Sequence, residues 1–163
     1  MALQQPTCAV VLASGPLPDN ATLTPPPCAQ SLLDRIDAGA LPLALLMPVH
    51  PPKYPMLELF ATSAGACGPA IVVAPVFTMA SDLEAAVHRV PALFEQSRAW
   101  ATLPLLVGNQ KLPKHVNLPT FKKLLGLRFL FTRTSLPFVM AVDAEMLVVS
   151  RAATSPIRAP AAA

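Results

Sequence analysis

Glycine is scarce in this chain. Only 6 occur among 163 residues. None falls in the G-x-G-x-x-G or G-x-x-x-x-G-K spacing that lets backbone N–H groups wrap a phosphate, which excludes a dinucleotide fingerprint and a P-loop. Charge is scarce too: charged residues make up 13% against 53% hydrophobic, more apolar than an ordinary soluble domain. Yet no unbroken apolar run approaches the roughly 18 residues of a membrane helix; the runs at 41–49 and 70–80 are short or broken by proline. No membrane span is expected, and the apolar excess must enter a dense core or be covered by a partner or further sequence. Aromatics are few (6%), the net charge of +3 is scattered, and Lys122-Lys123 is the only basic doublet beside an aromatic. That leaves no stacking platform and no strong nucleic-acid signal. Three cysteines (Cys8, Cys28, Cys67) lack metal-ligand spacing, so reduced thiols in an intracellular setting are expected rather than a disulfide framework. The apolar N-terminal stretch is short and has no basic n-region, and it does not read as a signal peptide.

The length allows one domain with one sizeable core. Residues 1–39 read as a weakly structured leader, because Pro16, Pro18 and Pro25-Pro26-Pro27 forbid long regular elements. A short helix over 31–37, capped by Ser31 and stopped by Gly39, is the exception. Residues 40–150 carry the order strand, helix, strand, helix, strand, helix, strand. The strands are expected at 43–49, 70–77, 103–107 and 138–149, with Pro75 marking an edge or bulge. The helices are expected at 56–66, from a Ser81 cap through Pro91 towards Trp100, and from Pro119 to about Phe131. Such alternation predicts a three-layer α/β/α fold with a mainly parallel, Rossmann-like sheet. Residues 151–163 read as a disordered Ala/Pro tail.

Acidic residues are lopsided. After Glu95 the chain has nine basic residues and only two acidic ones, Asp143 and Glu145. They interrupt the apolar run Phe138-Val-Met-Ala-Val-Asp-Ala-Glu-Met-Leu-Val-Val149, which reads as a strand buried on both faces. On a strand the two carboxylates share one side, with Ala144 on the other. Side by side in an apolar setting they repel, and a hard divalent cation bridging to an anionic ligand would relieve this. The alternative is a turn beginning at Asp143 with Glu145 solvated, or a structural pair bonded to Arg128 or Arg133. In parallel folds ligands bind beyond the carboxyl ends of the strands, where strand order reverses. Three polar segments are expected there: the loop with His50 and Lys53, the loop with Asn109, Lys111, Lys114 and His115, and the acidic pair.

Pro48-Val-His-Pro-Pro-Lys53 after the first core strand, Val116-Asn-Leu-Pro-Thr-Phe-Lys-Lys123 before a helix, and Asp143-Ala-Glu145 after a strand together resemble the donor half of GT-A glycosyltransferases. Nucleotide-sugar-transferase-like proteins opening with P-x-H-P-P-K are the nearer likeness. The resemblance covers about residues 41–150. It implies binding of a nucleotide-diphosphate sugar, with Mn²⁺ or Mg²⁺ held by Asp143 and Glu145. By the same resemblance the loop carrying His50 would lie near the nucleotide; Lys53, Lys111 and Lys114 are expected near the phosphates from their loop positions alone, with Asn109 a further cofactor-binding residue. A complete GT-A domain continues well past its acidic motif. The expectation here is therefore a donor half without its acceptor half, inactive for that reason, with the acceptor unknown. The other expectation is a non-catalytic, partner-binding remnant that self-associates through an uncovered apolar face. The reading predicts that His50, Asn109 and Asp143 cluster at one edge of the sheet. Asp143 at the opposite end from His50 would remove the basis for a shared site.

Overall fold

The computed structural model describes residues 8–12, 26–67, 70–95, 100–108 and 112–145. In chain order the elements are β1 (Val10–Val11), α1 (Pro27–Asp37), β2 (Leu43–Pro48), α2 (Tyr54–Cys67) and β3 (Ile71–Phe77). After these come α3 (Ala80–Arg89), β4 (Trp100–Thr102), β5 (Leu105–Leu106), α4 (Leu118–Arg133) and β6 (Phe138–Ala141). Every pairing among the described strands is parallel, in the order β1-β5-β3-β2-β6, with β4 also beside β3.

Strand periodicity sorts the core onto two faces. Ala44, Leu46, Val72, Ala74 and Val76 point to one side, where Leu32, Leu33 and Ile36 of α1 and Phe129 and Leu130 of α4 cover them. Leu43, Leu45, Met47, Ile71 and Val73 point to the other, against Leu57, Phe60 and Ala61 of α2 and Leu83 and Ala86 of α3. The result is the expected α/β/α arrangement. Because β3 and β4–β5 lie to one side of β2 and β6 lies to the other, strand order reverses between β2 and β6.

Two prolines shape this sheet from within. Pro75 does not mark an edge: it lies in the central strand β3, paired across to Met47. Val73 and Phe77 accept hydrogen bonds from Leu103 and Val107, so the odd positions of β3 face β4 and β5. The missing N–H of Pro75 therefore faces the interval where that ladder breaks between Thr102 and Leu105. Pro48 acts similarly at the end of β2. Val142 N donates to Leu46 O at 2.8 Å, so even positions of β2 face β6, and Pro48 has no N–H to carry the ladder further. Beyond that point β2 and β6 are no longer laddered together, and the chain is free to open there.

Several expectations are corrected. Part of the expected leader belongs to the sheet and its cover: β1 pairs with β5, and α1 begins at Pro27 rather than at Ser31. Cys8 and Cys28 form a disulfide with a Cα–Cα separation of 5.9 Å, in place of the reduced thiols expected. Sequence spacing gave no sign of it, because only the pairing of β1 brings Cys8 beside α1. Ser81 does not cap α3, whose N-cap is Met79, and Trp100 belongs to a strand. Strand β6 ends at Ala141 and is not buried on both faces: Phe138 is 46% and Met140 44% exposed. Residues 146–149 lie outside the described residues. Gly39 does end α1, in the left-handed conformation (φ 77°) expected of glycine there.

The packing of α4 on β2 depends on Gly126. A Cβ at this position would lie 2.5 Å from Leu46 Cδ1 and 3.3 Å from Leu46 Cγ, so any side chain here must push the Leu46 side chain aside. Leu46 is fully buried and has little room to move. Gly126→Val is expected to destabilise the domain by about 1–3 kcal/mol, read as a lowered denaturation midpoint with an unchanged denaturant slope. A gain in stability would show that α4 is not held this tightly.

Candidate functional site

Where strand order reverses, a cleft of about 510 Å³ opens at the carboxyl ends of β2 and β6. Its wall includes Pro48, Val49, His50 and Lys53 from the first loop. Lys122 comes from α4, and Asp143, Ala144 and Glu145 from the segment after β6. His50 and Asp143, 93 residues apart in sequence, line one cleft as expected. Lys53 and Glu145 join them. Asn109 and Lys111 lie outside the described residues. Lys114 sits on an exposed turn before α4 and does not line the cleft. A larger cleft of about 590 Å³, lined by Gln30, Asp37, Thr132 and Ser135 among others, lies at the amino ends of the strands. It contains none of the expected site residues.

Each wall has a local cause. After β2, Pro51, Pro52 and Lys53 form a single 3₁₀ turn, closed by Lys53 N donating to His50 O at 2.9 Å. Tyr54 then anchors the turn: its ring is buried, its hydroxyl donates to Asp82 O at 2.5 Å, and the Arg89 guanidinium lies 6.0 Å from the ring centroid. Burial, and then the charge of Asp82, push the Tyr54 phenol above its ordinary range. On the facing helix, Asn117 caps α4 by accepting from Thr120 N at 2.8 Å, and Pro119 sits in the first turn.

The acidic pair is not in a strand. Asp143 and Glu145 are both exposed, while Val142 and Ala144 on either side of Asp143 turn into the core. The carboxylates thus share one side, as expected. Residues 144 and 145 form a turn, so the desolvation expected of a buried pair does not arise. Each carboxylate has its own lysine: Lys123 Nζ lies 2.8 Å from Asp143 Oδ1, and Lys53 pairs with Glu145. The hydrogen bond from Lys53 holds the Glu145 carboxyl below its ordinary range. The partners are these lysines rather than Arg128 or Arg133. Among the described residues, no third His, Cys, Asp or Glu joins the pair to make a cation site complete in itself.

Lys122 reads in the sequence as half of a surface doublet, and the fold gives it another place. It is 2% exposed, and its ammonium donates to Val49 O at 2.6 Å. A signal was present: Lys122, Gly126, Phe129 and Leu130 are the buried positions of α4, a single helical stripe at i, i+4, i+7 and i+8. A lysine on the inward stripe of a helix is out of place unless something holds it. Burial pulls the Lys122 ammonium down to about 8, opposed by the charge of Asp82.

The depressed amine couples stability to pH. In the unfolded chain it stays protonated up to about its ordinary pKa of 10.4, so between about 8 and 10 the unfolded state binds more protons. Stability from this group therefore rises with pH across that window. Lys122→Met removes the titration and leaves Val49 O without its donor. The expected outcome is lower stability with a flatter pH dependence between about 8 and 10, read from denaturation midpoints at several pH values. Parallel profiles for the two proteins would refute the buried, depressed amine.

The chain matches no family model, no curated protein and no solved structure, so the chemistry of the cleft rests on its own side chains.

Proposed function

We propose that the cleft binds the diphosphate of a nucleotide-diphosphate sugar, making this chain a glycosyltransferase-like, donor-binding domain. One observation carries the reading: at the reversal of strand order, the loop after the first core strand and the acidic turn face one cleft. Ligands of parallel α/β folds bind at this position. The lining sets two lysines, Lys53 and Lys122, beside two carboxylates, Asp143 and Glu145, so that cations for phosphate oxygens and oxygen donors for a metal stand in one cleft. Asp143 and Glu145 supply the hard oxygen donors that Mg²⁺ and Mn²⁺ take. Such ions are commonly held by one or two carboxylates together with phosphate oxygens from the ligand, which fits a pair lacking a third protein ligand. A bound cation would neutralise charge on the leaving diphosphate. The chain's own part is to orient the phosphates with the lysines of the cleft, of which Lys53 must then leave Glu145.

The test is binding of a panel of nucleotide sugars to the full chain and to Asp143→Asn and Glu145→Gln, with Mn²⁺ and with a chelator. Binding is expected to require Mn²⁺ and to weaken about tenfold or more in each variant, a loss of about 1.4 kcal/mol. Thermal midpoints without metal should change little, because exposed ion pairs contribute little. Binding indifferent to chelator and to both substitutions would overturn the reading.

A second reading, a partner-binding module, is favoured by β6. Among the described residues no strand pairs with its outer edge, and Phe138 and Met140 are exposed along it, with Leu124 and Phe131 exposed on α4. An open, apolar edge is a template for association. Under this reading the chain sediments as a concentration-dependent oligomer, and Met140→Lys shifts it to monomer. A monomer at all concentrations would dismiss it.

A further inference from the structure

We propose that Lys122 is the anion-binding group at the floor of the cleft, and that phosphate-type ligands binding there bring a proton with them. The inference shares its cleft with the reading above and depends on neither the sugar nor the metal.

The geometry of charge carries it. Lys122 is buried and its ammonium meets a neutral carbonyl, Val49 O. The two carboxylates of the cleft are engaged by other lysines, Glu145 by Lys53 and Asp143 by Lys123. A buried cation whose hydrogen-bond partner is a neutral carbonyl, with Asp82 offsetting only part of the burial, is held at a considerable desolvation cost. An ammonium has three N–H donors, and one is used by Val49 O. The titratable groups that share its surroundings are His50 and Lys53 after β2 and Asp143 and Glu145 after β6, which line the cleft with it, and Asp82 at the start of α3, whose charge favours the ammonium. Both lysines of the cleft, Lys53 and Lys122, gain from an anion there. Of the two, Lys122 gains one without leaving an ion pair.

Desolvation has brought the amine down to about 8. A fraction of it is therefore uncharged at mildly alkaline pH. An anion within hydrogen-bonding reach favours the ammonium. Binding must then pull a proton from solvent, and affinity must fall as pH rises through about 8. A phosphate group suits the place, since it offers several acceptors and the charge to engage Lys53 as well.

Calorimetry on the full chain in chelator tests this with sulfate, an anion of fixed charge, and with a nucleoside diphosphate. Affinity for both is expected to fall about tenfold between about pH 7 and pH 9, following a group of pKa about 8. At about pH 8 the binding heat should depend on the ionisation heat of the buffer, reporting proton uptake. Lys122→Arg keeps a charge that does not titrate in this range, so it should bind with a flat pH profile. Lys122→Met, checked as folded by its circular dichroism, should lose binding at both pH values. Sulfate alone binding would assign the site to free inorganic anions, and tighter nucleoside diphosphate binding would assign it to a nucleotide's phosphates; either outcome supports the anion site. Wild-type affinity that is flat with pH, or unchanged in Lys122→Met, would overturn it. Proton-coupled sulfate binding without Mn²⁺-dependent nucleotide-sugar binding would leave Lys122 as the anion group and remove the sugar donor. Mn²⁺-dependent sugar binding with a flat pH profile would do the reverse.

Discussion

The close approach of α4 to β2 is the constraint on which the carboxyl end of this sheet depends. Gly126 lies directly over Leu46 with no room for a Cβ, and one helical turn earlier Lys122 reaches Val49 O. Four residues on the helix advance about 6 Å and the three from Leu46 to Val49 about 10 Å, and the long lysine side chain makes up the difference. A helix held further out would leave the Lys122 ammonium short of its carbonyl. The same docking sets one wall of the cleft. The prolines at 48, 51 and 52 set another, by ending the β2 ladder and stiffening the loop beyond it.

Charge in the cleft is arranged in layers of different permanence. At the rim, Lys53 with Glu145 and Lys123 with Asp143 are exposed or half-exposed pairs, weak enough in water to exchange partners. At the floor, Lys122 is shielded from solvent and hydrogen-bonded to a carbonyl rather than to a carboxylate. The rim is therefore adaptable and the floor is fixed. An arrangement of this kind admits an anion without requiring the fold to rearrange, because the groups that must move are long side chains already in contact with solvent.

The open edge at β6 has a different origin. The apolar run from Phe138 that reads as an interior strand supplies the last strand on its side of the described sheet, and Phe138 and Met140, on the same face as Leu43 and Leu45, are left exposed there. The disulfide between Cys8 and Cys28 closes the other side, fastening the chain just before the two-residue strand β1 to the first helix. A strand so short has few ladder bonds of its own, and a covalent tie there restricts the unfolded chain more than it adds contacts to the folded one.

Much of the architecture was legible in the sequence, because it follows from local period and from proline and glycine chemistry. The alternation of apolar runs and amphipathic stretches determined the order of elements and the parallel sheet. Leu57, Phe60 and Ala61 had to share one helix face, and Gly39 had to end a helix. The position of His50 and Lys53 beyond a strand end, on the same side of the sheet as Asp143 and Glu145, came from the same order. What the sequence could not determine was set by contacts between distant segments. Whether the acidic pair sits in a buried strand or an exposed turn depends on where β6 loses its neighbour, and that is decided by Pro48 on another strand. That Lys122 is a buried cation depends on how near α4 approaches β2, and that Cys8 meets Cys28 depends on β1 finding β5. Local sequence carries the period of an element; which side of it is covered, and therefore which charges are paired and which left over, is decided only when the layers close.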